Sequence, residues 1–134
     1  MNSTKIPLAQ FFVKEKGEEN LAVVKDFIDR SYAAGAKLLV LPEGIIARKP
    51  GFGSWSRDHA ETLDGPFVTG LVKATEGKDI AVVGTVHIRV PGETRVHNDI
   101  IVARNGKLEL VYTMSRVNPR TCSCIPRKTA RKNS

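Results

Sequence analysis

The sequence predicts an α/β domain: a mixed sheet with two helices on one face. Three observations predict it. An apolar segment, an amphipathic helix and a second apolar segment follow one another over residues 5–41, the pattern of a βαβ unit. A second helical pattern follows at 64–76. Two strands joined by Asn105-Gly106, a strong hairpin signal, close the pattern.

The first segment, KIPLAQFFV at 5–13, reads as a strand buried on both faces, with Pro7 near its start. Charged residues around Gly17 make a loop. A helix is expected from about Glu18 to Ala34, with Leu21, Val24, Phe27, Ile28 and Tyr32 on one face and Gly35 as its stop. Lys37–Leu41, KLLVL, is too short for a helix and reads as a buried strand parallel to the first. Pro42 ends it, and Glu43 emerges at its carboxyl end, where open α/β sheets place ligands.

Residues 44–63 form a long connection, rich in Gly, Pro and charge, expected as a surface loop with a helical turn at 56–61. Asp64 is the expected N-cap of the second helix, with Pro66 in its first turn and Gly77 at its end. Phe67, Leu71 and Ala74 should face inward. Ile80–Val90 reads as a strand whose first half is fully buried and whose second half has one wet face. Val96–Arg104 and Lys107–Tyr112 are the hairpin strands.

The 134 residues fit a single domain, and the 41% apolar and 26% charged shares are ordinary for a globular protein. No apolar run reaches the roughly 20 residues of a membrane span, and no signal-peptide pattern opens the chain. The expected location is cytoplasmic, with no membrane partner. The net charge of +7 suggests nucleic acid until its distribution is read. Residues 1–114 hold 15 basic and 14 acidic side chains; Arg116, Arg120, Arg127, Lys128, Arg131 and Lys132 carry the excess. The body is nearly neutral, no aromatic residue interleaves the tail charges, and nucleic acid is not the expected partner.

Cys122 and Cys124 are too close for an unstrained disulfide and fit no zinc spacing. His59, His87 and His97 are dispersed, so neither a metal nor another cofactor is expected. His87 and His97 read as half-buried structural residues, and His59 as solvated. Asn98 reads as a loop-orienting side chain. Arg48 and Lys49 either line a pocket beside Glu43 or form a solvated loop face. Glu43 itself, at the end of a buried strand, should be partly desolvated, which suits a general base near neutral pH.

The segment LVLPEG at 39–44 resembles the signature of the nitrilase superfamily of carbon–nitrogen hydrolases. The resemblance extends over LAQFFV at 8–13, the helix and strand at 20–43, LDGPFVTGL at 63–71, VVGTVHI at 82–88 and HNDIIVARNGKLELVY at 97–112. It is greatest to amidases of the deaminated-glutathione-amidase and omega-amidase type. It implies that residues 1–112 are a partial carbon–nitrogen hydrolase domain, the N-terminal half of an α-β-β-α sandwich. It also implies a homodimer, a small linear amide as substrate and a Cys-Glu-Lys mechanism. There a thiolate forms a thioester, Glu is the general base and Lys stabilises the oxyanion.

Glu43 matches the family's base. Met114 stands where the family has Lys, and Met cannot donate to an oxyanion. The surroundings of Cys122 and Cys124 do not match the family's nucleophile, and Ser115 has no mapped base. The chain is therefore expected to be a truncated or frame-shifted, inactive amidase, with residues 113–134 a basic, disordered tail. The alternative is a non-enzymatic protein whose tail binds an acidic partner or nucleic acid.

Overall fold

The computed structural model describes residues 3–114 and the backbone of 125–126. The helices are α1 (Gly17–Ala33), α2 (Trp55–Asp58) and α3 (Pro66–Ala74). The strands are β1 (Leu38–Val40), β2 (Ala81–Arg89), β3 (Val96–Arg104), β4 (Lys107–Met114) and β5 (Ile125–Pro126), adjacent in that order in one sheet. β1 and β2 are parallel; the pairs beyond are antiparallel. The mixed sheet expected from sequence is thus present. Of the disordered tail expected at 113–134, Thr113 and Met114 instead continue β4, where they pair with Asp99 and Asn98, and Ile125–Pro126 form β5. The rest, with Ser115, Cys122 and Cys124, lies outside the described residues.

Alternation along the strands gives the sheet two unlike faces. One face carries Leu39, Val82, Val86, Ile101 and Val111, all buried. They join Val24 and Ile28 of α1 and Phe67, Val68 and Leu71 of α3 in a single core. The other face carries Val83, Ile100, Val102 and Tyr112, which are only half-buried, and Leu110, which is 44% exposed. Among the described residues nothing covers it.

This open face corrects two expectations. The segment at 5–13 is not buried on both sides. It makes one parallel bridge, Leu8 to Val40, with Ala9 N donating to Val40 O at 2.9 Å. Ala9 and Val13 are buried, whereas Leu8 is 73% and Phe12 72% exposed. Likewise β2 alternates along its whole length rather than being fully buried in its first half. In each case an apolar run hides the period of 2, because both faces carry apolar side chains while only one is covered.

The helices deviate less. In α1 the buried stripe is Asn20, Val24, Ile28 and Ser31, and Tyr32 is exposed. The N-cap of α3 is Gly65, not Asp64. Its first turn is met instead by Glu61, whose Oε1 accepts the Phe67 amide at 2.8 Å, a carboxylate at the positive end of the helix. At the β3–β4 turn, Asn105 and Gly106 have φ of 48° and 73°, the signs a type I′ hairpin requires.

The connection after β1 does not run over the surface at first. Ile45, Ile46 and Ala47 are at most 2% exposed. They are held by Asn20, which is fully buried. Its Nδ2 donates to Lys14 O and Ile46 O, both at 2.9 Å, and its Oδ1 accepts the Lys14 amide at 2.8 Å. Replacing Asn20 by Ala strands these buried groups, and the expected cost is about 3 kcal/mol. A urea denaturation midpoint that falls accordingly checks this; an unchanged midpoint refutes it.

Candidate functional site

Glu43 leaves the sheet where β1 ends. Leu41 N donates to Val83 O at 2.8 Å and Ile45 N to Thr85 O at 3.3 Å, so the chain stays beside β2 on either side of it. Gly44 has φ of 63° and crosses closely over β2. A Cβ there would lie 3.3 Å from the His87 ring, so the turn needs glycine for both its conformation and its clearance.

Register supplies the neighbours. His87 is opposite Asn98, and Asn98 is opposite Met114. Opposed residues share a face, so all three lie on the open face beside the end of β1. Asn98 Nδ2 donates a long hydrogen bond, 3.4 Å, to Glu43 Oε1. Asn98 Oδ1 is buried with no partner among the described residues. The structure thus gives Asn98 a carboxylate to orient, not the loop backbone expected for it.

Glu43 is exposed. The desolvation expected of a carboxylate at a buried strand end is absent among the described residues, because the strand is buried on one side only. His87 is half-buried, as expected, but it is coupled to the site electrostatically. Its pKa is held below the ordinary 6.5, chiefly by desolvation; the Glu43 carboxylate opposes this and the Arg48 guanidinium adds to it. The imidazole is therefore neutral near pH 7.

The other candidates lie elsewhere. Lys49 pairs with Glu15 at 3.4 Å and sits over the rings of Phe52 and Trp55. His59 stacks on Trp55 with ring centroids 4.0 Å apart. His97 pairs with Glu93. A surface cavity of about 380 Å³ lies at the start of α1, lined by Glu15, Trp55, His59 and Glu61 among others, and does not include Glu43. Among the described residues no group of His, Cys, Asp and Glu could hold a metal ion, and no helix is long and apolar enough to cross a membrane.

Chemically, the arrangement is a solvent-accessible carboxylate oriented by an amide, beside a neutral imidazole. It can accept a proton from a group brought to it. The side chain across from Asn98 is Met114, which offers no donor at that position. Sequence reading did not group His87 and Asn98 with Glu43. The signal is the strand alternation, counted from the hairpin turn, which puts 87 and 98 opposite each other.

No protein-family model matches the chain. A Mycobacterium tuberculosis protein named as a hydrolase is 31% identical over 102 residues, which are 76% of this chain and 35% of that protein. The chain thus spans about a third of the length of the curated relatives it matches. A CN-hydrolase superfamily protein from Xanthomonas campestris, solved with an arsenic adduct in its active site, has a TM-score of 0.71 and 24% identity. The match covers 96% of this chain and 48% of that one. An amidase from Nesterenkonia sp. has a TM-score of 0.63 and 18% identity, covering 94% of this chain and 49% of that one.

The electrostatic coupling is testable by NMR titration of His87. Glu43→Gln removes the opposing charge and should lower the His87 midpoint further, whereas Arg48→Ala should raise it. Identical midpoints in all three proteins would show the groups to be uncoupled. Because the folded pKa lies below the unfolded 6.5, the unfolded chain binds the proton more readily in between. The stability held above pH 6.5 should therefore fall as pH drops through the folded midpoint, and His87→Gln should remove that part of the pH dependence.

The described residues carry the fold of one α-β half of the α-β-β-α sandwich of solved CN-hydrolase superfamily structures.

Proposed function

We propose that the chain is part of a nitrilase-superfamily carbon–nitrogen hydrolase, an amidase acting on a small linear amide, with Glu43 as its general base. One observation carries the reading: Glu43, within LVLPEG, stands at the carboxyl end of β1 with the Asn98 amide on its carboxylate. The matching fold and the relative named as a hydrolase support it. In the reaction the carboxylate takes the proton of a thiol as the sulfur attacks the amide carbon. It later takes the proton of the water that opens the thioester. A cation is needed where the oxyanion develops.

Met114 occupies the position of that cation, and neither Cys122 nor Cys124 is assigned as nucleophile. With only Glu43 of the three catalytic groups assigned, these 134 residues by themselves are read as an inactive part of a cytoplasmic amidase. The substrate class is the ω-amide type that the omega-amidase and deaminated-glutathione-amidase resemblance implies.

Purified protein should release no ammonia from α-ketoglutaramate and no cysteinylglycine from deaminated glutathione. Turnover abolished by Glu43→Gln would overturn the inactivity. DNA sequence beyond the Tyr112 codon tests the family reading separately. A Lys-x-His-Leu stretch in another frame, followed by a Cys motif, is expected; absence of both from every frame counts against it.

A further inference from the structure

We propose that the surface cavity at the start of α1 is a binding site for a small organic cation, a primary ammonium on a short apolar body. The cavity does not include Glu43, so the inference does not depend on the chemistry proposed for that residue.

Three observations carry it. The first is that the cavity is preformed. Its volume of about 380 Å³ suits a small molecule. Hydrogen bonds between segments distant in sequence fix its walls. Trp55 Nε1 donates to Glu15 O at 3.0 Å, Ser56 Oγ to Ala47 O at 2.7 Å and Asn20 Nδ2 to Ile46 O at 2.9 Å. Glu61 Oε1 accepts the Phe67 amide at 2.8 Å. A ligand meeting walls already in place loses little affinity to ordering them.

The second is the chemistry of the wall, which offers acceptors. With Oε1 taken by Phe67, Glu61 keeps Oε2. A Cβ on Gly17 would lie 3.7 Å from that oxygen and 3.3 Å from Ile46 O, so glycine leaves both acceptors clear. His59 Nδ1 is bonded to Trp55 O at 2.9 Å. A carbonyl only accepts, so Nδ1 carries the proton, and in the neutral ring Nε2 is a further acceptor. Glu15 is matched by Lys49 at 3.4 Å, which leaves the carboxylates of Glu18 and Glu61 against the ammonium of Lys16. The amides at the start of α1 would favour an anion, but these two carboxylates already meet that need. Acceptors with a negative excess select a cationic ligand rich in donors. Among the described residues no group could hold a metal ion, and Ile46 and Ala47 offer apolar surface, so an organic cation fits.

The third is that the aromatic wall already holds an ammonium from within the chain. Lys49 Nζ stands 4.8 Å from the centre of the Trp55 ring and 4.7 Å from that of Phe52. Trp55 lines the cavity, and His59, stacked on it at 4.0 Å, extends its aromatic surface. Rings of this kind attract a cation through their electron-rich faces.

Trp55 is the only tryptophan of the chain, so its fluorescence reports on the cavity directly. Titrating the full chain with n-butylammonium at constant ionic strength should give a saturable change. Neither n-butanol nor butyrate should give one. Glu61→Gln keeps an oxygen for the Phe67 amide but puts a donor in place of Oε2, and should weaken butylammonium binding at least about tenfold. Gly17→Ala should weaken it as well, by crowding Ile46 O and Glu61 Oε2, while circular dichroism shows the helices kept. Asp26→Asn removes an equal charge from an exposed position of α1 and should leave binding unchanged. No saturable change with butylammonium overturns the proposal. So does an equal response to butanol, or an affinity that survives Gly17→Ala or a folded Glu61→Gln protein.

Discussion

The Asn20 side chain is the constraint on which the placement of the site depends. A fully buried amide must satisfy its donors and its acceptor or destabilise the fold. Asn20 does so with backbone groups of two segments, at Lys14 and at Ile46. Lys14 O also accepts the Arg48 amide at 2.9 Å. The connection after β1 is thereby drawn inward, and Ile45, Ile46 and Ala47 become core residues. Glu43 has little freedom as a result. It sits between Leu41 and Ile45, both bonded to β2, and Gly44 turns the chain over His87.

The sheet register completes the arrangement. β3 and β4 pair from Arg104 and Lys107 outward, but the register shifts by one between Val102 and Ala103. Without that irregularity Thr113 would oppose Asn98, and Met114 would point to the helix-covered face. A one-residue slip exchanges the faces of every side chain beyond it. The bulge therefore decides that Met114 stands beside Asn98 on the open face. What lies near Glu43 is set by a backbone irregularity some four residues away.

Much of this was legible in the sequence, for identifiable reasons. The helix of Gly17–Ala33 shows through its spacing, and the hairpin through Asn105-Gly106, whose positive φ values few other pairs adopt at low cost. Glu43 was legible because Pro42 and the short KLLVL strand fix where the sheet ends. The exposure of Leu8 and Phe12 was not. An apolar side chain on an uncovered face reads in sequence like one in a core, since the sequence records preference and not cover. The Asn20 clamp was illegible for the same kind of reason. Its partners are backbone groups of distant segments, which leave no side-chain pattern. The bulge at Val102 has no glycine or other local mark, so the Asn98–Met114 pairing could not be counted from the turn alone.

The exposure of Glu43 and the openness of the apolar face have one cause. His87, Asn98 and Met114 lie on the same face as Val83, Ile100 and Leu110, toward the end where β1 delivers the carboxylate. Among the described residues, helices shield only the opposite side. A second β layer over this face would remove water from the hydrophobic strip and from the site together. Charges in such a site interact through a lower effective dielectric, so the attraction between Glu43 and protonated His87 would grow. The desolvation of His87 would grow with it, in the opposite sense for its protonation. The balance of those two effects is already visible in His87, where burial outweighs the carboxylate. Whatever layer covered this face would therefore also set the polarity around the Glu43 carboxylate.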